Sequence, residues 1–234
     1  MAFTIERSKA NERMHQVRTL LSFIKEHESK NTPPTDADDI KIVRGLFYVG
    51  LYGAFEKTIN EAVEQYIRGV GTLKIQFSEL NWGFLPTALD PIFTSLKAGG
   101  KWEKRIELFD SLQSEDICSI SDTVFSDQLQ NTWFEKLQKI ATCIGVRENF
   151  LRNGRDAIYV DEVVDKRNQV AHGRNTPLAI GSLGRSTELG VRFDAISRVI
   201  DDYLNMLENN YNSLDFVKSE CRQKYITNDL SRDL

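Results

Sequence analysis

GLFYVGLYGAFEKTINEAVEQYI, residues 45–67, is the stretch that decides the fold. Its apolar residues recur at spacings of three and four, which places them along one side of an α-helix. Acidic residues precede it where the positive end of a helix dipole favours them, namely Asp36, Asp38 and Asp39. We therefore predict one helix of more than thirty residues, with its N-cap at Thr35 or Asp36 and its end at Gly69 or Gly71.

Three glycines interrupt this predicted helix, at Gly45, Gly50 and Gly53. Each glycine costs a helix about 1 kcal/mol of propensity relative to alanine. Close packing of a neighbouring helix would compensate for that cost. We therefore expect another helix to approach the long helix along this side.

Helical periodicity also dominates the rest of the chain, and long alternating strand patterns are missing. Further helices are predicted from the apolar spacing over 5–27, from Trp133 to a stop at Gly145, from Asp161 to Gly173, and over 187–209. Pro177, Gly181 and Gly184 indicate a loop before the last of these. The fold class is therefore all-α, a helical bundle.

The segment 72–130 has a weaker pattern. It suggests a short helix after a turn, a second helix after a double-glycine break, and then a loop. We predict that it inserts extra helices between the second and third core helices. Its role as a lid, a partner surface or a specificity element stays open.

Length and composition indicate a globular protein. The chain has 234 residues, 41% apolar and 27% charged, which favours a single domain over 1–234. No apolar run approaches the roughly 20 residues of a membrane-spanning helix, so no membrane partner is expected. A net charge of −4 argues against a protein that coats nucleic acids non-specifically. Charge is nevertheless uneven, because residues 166–198 hold six basic and two acidic side chains.

No cofactor or metal is expected. The three cysteines are odd in number and lie at spacings that suit neither a disulfide framework nor a metal site: Cys118, Cys143 and Cys221. Buried thiols in a reducing compartment are the simpler interpretation. Glu6, Arg7 and Lys9 stand where an export signal would need its apolar core, which favours a cytoplasmic location.

The stretch DKRNQVAHGR, residues 165–174, gathers polar chemistry at a predicted helix end. Successive helical residues turn by about 100°, so Asn168 and His172 share one face and Arg167 lies on the adjacent flank. The apolar residues of this helix are expected to face the core, namely Val163, Val164, Val170 and Ala171. A histidine titrates near pH 6.5 and can donate or accept a proton at neutral pH. The alternative is a capping histidine, with Arg167 paired to Glu162, Asp165 or solvent.

RNQVAHG, residues 167–173, resembles the motif of the HEPN (higher eukaryotes and prokaryotes nucleotide-binding) superfamily. Residues 45–67 and the helix before them are similar to the helical pair of stand-alone bacterial MAE-type HEPN proteins. The resemblance is close over 36–70 and 158–175, loose over most of the chain, and absent over 72–130. It implies a HEPN-like all-α, up-down helical bundle.

The resemblance also implies a function, a metal-independent endoribonuclease whose two copies form one cleft across a dimer. Arg167 would bind the scissile phosphate, His172 would act as general base or acid, and Asn168 would orient the imidazole or the phosphate. RNA, a second copy of the chain, and an antitoxin or regulatory protein would be the partners. A role in defence or as a toxin is implied in the same way.

Supporting residues are expected around this motif. Tyr52 and Glu56 match an aromatic-then-acidic pattern of similar proteins. The alternative is a packed ring and an ion pair on the helix surface. Lys166 and Arg174 flank the motif and are candidates for contacts with the RNA backbone. Two other functions stay open: a HEPN-like module that binds nucleotides, RNA or proteins without cleavage, and a helical interaction protein whose motif only caps a helix.

Overall fold

The computed structural model describes residues 2–97 and 102–230, with the side chains of 97 and 227–230 left aside. These residues form ten α-helices: α1 (Ser8–His27), α2 (Asp38–Thr72), α3 (Leu85–Ala88), α4 (Asp90–Lys97), α5 (Trp102–Ser111), α6 (Phe134–Cys143), α7 (Asp156–Ala171), α8 (Pro177–Gly181), α9 (Ser186–Asn212) and α10 (Arg222–Leu230). The described ranges contain no β-strand, only two isolated bridges. The all-α prediction is confirmed.

Helix α2 is the centre of the core. Helices α1, α7, α8 and α9 all pack against it. Its apolar residues are spaced to reach several neighbours at once, and many are fully buried, including Phe47, Leu51, Phe55, Ile59 and Tyr66. Burial of one such side chain contributes about 1.5 to 3 kcal/mol, so this helix organises the bundle.

Helices α2 and α8 cross at two glycines. A Cβ atom on Gly45 would lie 2.0 Å from the carbonyl oxygen of Pro177, and one on Gly181 would lie 1.7 Å from that of Lys41. The predicted close approach is therefore confirmed at Gly45. It is wrong for Gly50 and Gly53 within one chain, where an added Cβ meets nothing within 4 Å.

Alanine at the crossing should destabilise the protein strongly. Gly181→Ala drives a methyl group into the backbone of α2, and we expect a loss of about 1 to 3 kcal/mol or more in the free energy of unfolding. Gly190→Ala is the matched control, since it adds the same methyl group to helix α9 in open space and should stabilise that helix by about 0.5 to 1 kcal/mol. Urea unfolding of both variants measures this. Equal effects would show that the crossing tolerates a side chain.

Several predicted boundaries are wrong for identifiable reasons. The predicted loop at 177–181 is helix α8, with Pro177 at its first position and the Thr176 hydroxyl capping it. Helix α7 begins at Asp156 instead of Asp161, because the buried Asp156 carboxylate binds the Arg198 guanidinium at 2.8 Å. Ala171, expected to face the core, is exposed.

The start of α2 also differs from the prediction. Its N-cap is Ala37, neither Thr35 nor Asp36. The Asp36 carboxylate instead accepts a hydrogen bond from the Ser29 backbone N–H at 2.7 Å and pairs with Arg44 at 3.0 Å. A tertiary ion pair has replaced the local cap.

The segment 72–130 supplies helices α3, α4 and α5 between α2 and α6, as predicted. Helix α5 buries no residue and exposes Trp102, Ile106 and Phe109 along one side. The double glycine at 99–100 lies outside the described residues. Cys118 is buried, Cys143 and Cys221 are partly buried, and all three are free.

Candidate functional site

Helix α7 carries the motif on a firmly anchored backbone. Val160, Val163 and Val164 are fully buried against α2 and α9. The helix ends at Ala171 with His172 as C-cap, and Gly173 follows at φ +66°, a left-handed conformation that glycine adopts without strain. The end of α7 is therefore fixed, and the motif side chains project from a rigid element.

Arg167 lies between α7, α2 and the turn before α6. Its Nη1 donates to Asn168 Oδ1 at 2.7 Å and to Asn131 Oδ1 at 2.9 Å. Its guanidinium lies 3.9 Å from the centre of the Tyr52 ring, and its Nη2 is 3.5 Å from Glu56 Oε2. The structure thus brings together four of the predicted site residues, Arg167, Asn168, Tyr52 and Glu56.

Tyr52 and Glu56 form one unit on α2. The Tyr52 hydroxyl donates to Glu56 Oε1 at 2.7 Å and accepts from the Thr132 backbone N–H at 2.9 Å. Burial and then the hydrogen bond to Glu56 raise the pKa of Tyr52 to about 12. The phenol therefore stays protonated at neutral pH and keeps Glu56 oriented toward Arg167. The ring is packed, as one interpretation expected, and it is also part of the site.

Asn131 is a site residue that sequence reasoning missed. It belongs to the turn before α6, 36 positions from Arg167 in the chain. No helical spacing relates the two, so only the fold brings them together. An asparagine beside Thr132 in a turn gave no signal of its own.

His172 occupies the exposed end of α7. Within the described part of the chain its imidazole has no hydrogen-bond or ion-pair partner, and its backbone N–H donates to the Asn168 carbonyl at 3.0 Å. The imidazole is thus accessible to a ligand. It stands five positions after Arg167, which corresponds to about 140° around the helix. One copy of α7 therefore presents the two side chains in different directions.

The comparison with family models bears on this motif-bearing bundle. A model described as RiboL-PSP-HEPN matches residues 11–215. The chain belongs to the RiboL-PSP-HEPN family. This confirms the resemblance to the HEPN superfamily, and the match spans both α2 and α7. Searches of curated proteins and of solved structures each found no match.

The two flanking cations of this RiboL-PSP-HEPN protein differ. Lys166 Nζ lies 2.7 Å from Glu162 and donates to the Tyr48 hydroxyl at 3.2 Å. Glu162 also binds Arg192 through two hydrogen bonds, so it does not pair with Arg167. Arg174 is exposed and has no carboxylate partner in the described ranges. Arg174 is the more available cation.

The sequence of residues 166–198 suggested a local excess of positive charge. Ion pairs with carboxylates from outside these residues reduce that excess. Five of the six basic residues in 166–198 are ion-paired. They are Lys166, Arg167, Arg185, Arg192 and Arg198. Burial raises the pKa of Glu162, but hydrogen bonds from Arg192 and Lys166 outweigh it and hold this pKa below its usual range. Residues 166–198 therefore present local cations and no broad basic face.

The described residues of this RiboL-PSP-HEPN protein contain no group of three or more His, Cys, Asp or Glu side chains placed to hold a metal ion. No helix among them is both long and apolar enough to cross a bilayer.

Proposed function

We propose that this HEPN protein is a metal-independent endoribonuclease with a composite active site in a homodimer, acting in the cytoplasm in defence or as a toxin. HEPN domains are often ribonucleases. The observation that carries the proposal is the pairing of a held guanidinium with an accessible imidazole on one helix. Arg167 is oriented by neutral amide oxygens, and His172 is free to meet a ligand.

The proposed reaction needs only groups of this kind. His172 accepts the proton of a ribose 2′-hydroxyl, whose oxygen bonds to the adjacent phosphorus. The bond from phosphorus to the 5′ oxygen breaks, and a protonated imidazole from the second copy donates the proton that this oxygen requires. Arg167 stabilises the developing negative charge with its forked donors, and Asn168 holds Arg167. The products are a 2′,3′-cyclic phosphate and a 5′-hydroxyl.

The directions of the two side chains favour a dimer. The reaction uses two imidazoles, and one copy holds one, which points about 140° away from Arg167. A second copy is therefore needed to place both imidazoles and a guanidinium around one phosphate. Helix α2 offers a contact surface next to Tyr52 and Glu56. We call it the α2 outer face; it consists of Ile42, Leu46, Val49, Gly50 and Gly53, whose apolar side chains are 36 to 44% exposed. The two glycines, which meet nothing within the chain, would admit a helix of the other copy.

Charges on the α2 outer face should therefore dissociate the dimer. We expect Leu46→Glu with Val49→Glu to sediment as a folded monomer and to lose RNA cleavage, because each monomer holds half of the site. Phe109→Glu is the matched control, since it places the same charge on an exposed apolar residue of α5 and should leave the dimer intact. Analytical ultracentrifugation measures the oligomeric state of both variants, and an RNA cleavage assay measures their activity. A double variant that stays dimeric and active would rule out this interface.

A binding module without nuclease activity is the second candidate. The ion pairing of the basic residues favours it, since little uncompensated charge remains to attract a long RNA. In that case the Arg167 site would bind a short ligand, such as a nucleotide or a single phosphate group.

Incubation with RNA in the presence of EDTA distinguishes the two candidates. The nuclease is expected to cleave RNA under these conditions and to leave DNA of the same sequence intact, because DNA lacks the 2′-hydroxyl. A folded dimer that cleaves no RNA but binds nucleotides would support the binding module instead.

A further inference from the structure

The turn 129–134 connects the segment 72–130 to α6 and is fixed to two core helices. The Thr132 backbone N–H donates to the Tyr52 hydroxyl on α2 at 2.9 Å. The Phe134 backbone N–H donates to Asp161 Oδ1 on α7, also at 2.9 Å. Thr132 itself is fully buried. The turn therefore has a defined position relative to both helices that carry the site.

Asn131 lies at the tip of this turn with φ +53°. Asparagine is among the non-glycine residues that best tolerate this left-handed conformation. It places the backbone N–H 3.3 Å from Glu56 Oε1 and the side-chain oxygen 2.9 Å from Arg167 Nη1. One residue thus contacts both members of the ion pair at the site.

We propose that Asn131 is a positioning residue for Arg167, supplied by the turn that joins the inserted segment to α6. This inference rests on the proposed nuclease function. Arg167 Nη1 has two N–H groups, and Asn131 and Asn168 accept one each, which prevents the guanidinium from turning. Both acceptors are neutral, so they fix its direction without cancelling its charge.

Glu56 alone would be a weaker guide for the guanidinium. Its oxygen lies 3.5 Å from Arg167 Nη2, outside normal hydrogen-bond length, so it attracts the cation without setting its plane. The Tyr52 ring limits tilting but permits rotation within the plane of the guanidinium. The amide oxygens of Asn131 and Asn168 supply the missing constraint. The turn after the inserted segment therefore contributes to the site through Asn131.

Three variants isolate this contact. Asn131→Gly removes the acceptor and keeps a backbone that adopts positive φ freely, so the turn should survive. Asn131→Asp keeps an acceptor oxygen in the same place and is the rescue for the rotation measurement alone, because its negative charge would pair with Arg167. Lys74→Gly is the matched control, because Lys74 has nearly the same φ, +52°, and lies outside the site.

The first readout does not depend on activity. In arginine-labelled protein, NMR measures how fast the Arg167 Nη1 group rotates about its bond to Cζ, with Arg167→Lys used for assignment. We expect slow rotation in wild type, Lys74→Gly and Asn131→Asp, and fast rotation in Asn131→Gly. Rotation in Asn131→Gly as slow as in wild type would overturn the proposal, and so would equal acceleration in Lys74→Gly.

Kinetics supply the second readout. A misplaced catalytic group costs roughly 100-fold or less, so we expect kcat of Asn131→Gly to fall about 10- to 100-fold. KM should change little, because the charge that binds RNA is retained. A raised KM with unchanged kcat would contradict positioning. If rotation accelerates but wild type cleaves no RNA, the contact is supported and the proposed nuclease function is refuted.

Discussion

His172→Ala abolishes RNA cleavage and leaves the fold intact; this is the largest effect on activity that we expect. Loss of a general acid or base costs about 100- to 10,000-fold in rate. The exposed imidazole has no partner in the described ranges, so its removal should change the free energy of unfolding by about 0.5 kcal/mol or less. Arg167→Ala should reduce cleavage to a similar extent. Single-turnover cleavage and urea unfolding measure both quantities.

Arg174→Ala is the matched control for these variants. Arg174 is an exposed cation two residues after His172 and has no carboxylate partner there. As a contact to the RNA backbone, it should lower affinity and reduce the salt slope of binding by about 1, with the cleavage step unchanged. Equal loss of the cleavage step in Arg174→Ala and His172→Ala would mean that general electrostatics explains the activity. Unfolding of His172→Ala would mean that the histidine is structural.

Arg44→Ala is expected to have the largest effect on stability. Arg44 binds Glu28 at 3.1 Å and Asp36 at 3.0 Å, and all three side chains are less than 10% exposed. This cluster joins the end of α1 to the start of α2. Arg185 also contacts both carboxylates, at 3.5 and 3.6 Å, but without Arg44 two buried carboxylates share this one cation. Breaking a buried ion pair costs about 3 to 5 kcal/mol, because it leaves an uncompensated buried charge. Lys41→Ala, which breaks the surface pair of Lys41 with Asp38, should cost less than about 1 kcal/mol.

The same cluster predicts how stability depends on pH. Burial raises the pKa of Asp36, but the Ser29 N–H and the charges of Arg44 and Arg185 outweigh it, so this pKa lies below its usual 3.8. A lowered pKa stabilises the fold above the unfolded-state value, and this contribution is lost as pH falls through the folded-state value. Urea unfolding from pH 7 to pH 3 should therefore show a loss of stability with acid in wild type that is smaller in Arg44→Ala, because the variant lacks one of the charges that lower the pKa of Asp36. Identical pH profiles of stability in wild type and Arg44→Ala would show that Asp36 does not cause the loss of stability with acid.

The parts of the fold that follow from local pattern were predictable. Helix α2 has apolar residues at helical spacing over most of its length, so a helix of more than thirty residues could be predicted. Gly145, at φ +96°, follows the C-cap of α6 directly, as its position in the sequence predicted. The grouping of Arg167 with Tyr52 and Glu56 came from the resemblance to HEPN proteins. The structure supplies its physical form, a stacked and hydrogen-bonded cation.

The remainder depends on tertiary contacts that no short stretch of sequence records. Helix α7 starts five residues early because Asp156 finds Arg198, 42 positions away. Asn131 reaches Arg167 only through the path of the inserted segment. A charge count over 166–198 could not include the acids from α1, α2 and α7 that neutralise its basic residues.

Cleavage of a defined RNA in EDTA, with one 2′-deoxy nucleotide placed at a mapped cleavage position, tests the proposed chemistry most directly. Mass spectrometry then identifies the product ends. We expect 2′,3′-cyclic phosphate and 5′-hydroxyl ends at unmodified positions, and no cleavage at the deoxy position. Continued cleavage at the deoxy position, or 5′-phosphate ends elsewhere, would contradict attack by the 2′-hydroxyl and the roles of Arg167 and His172 that depend on it.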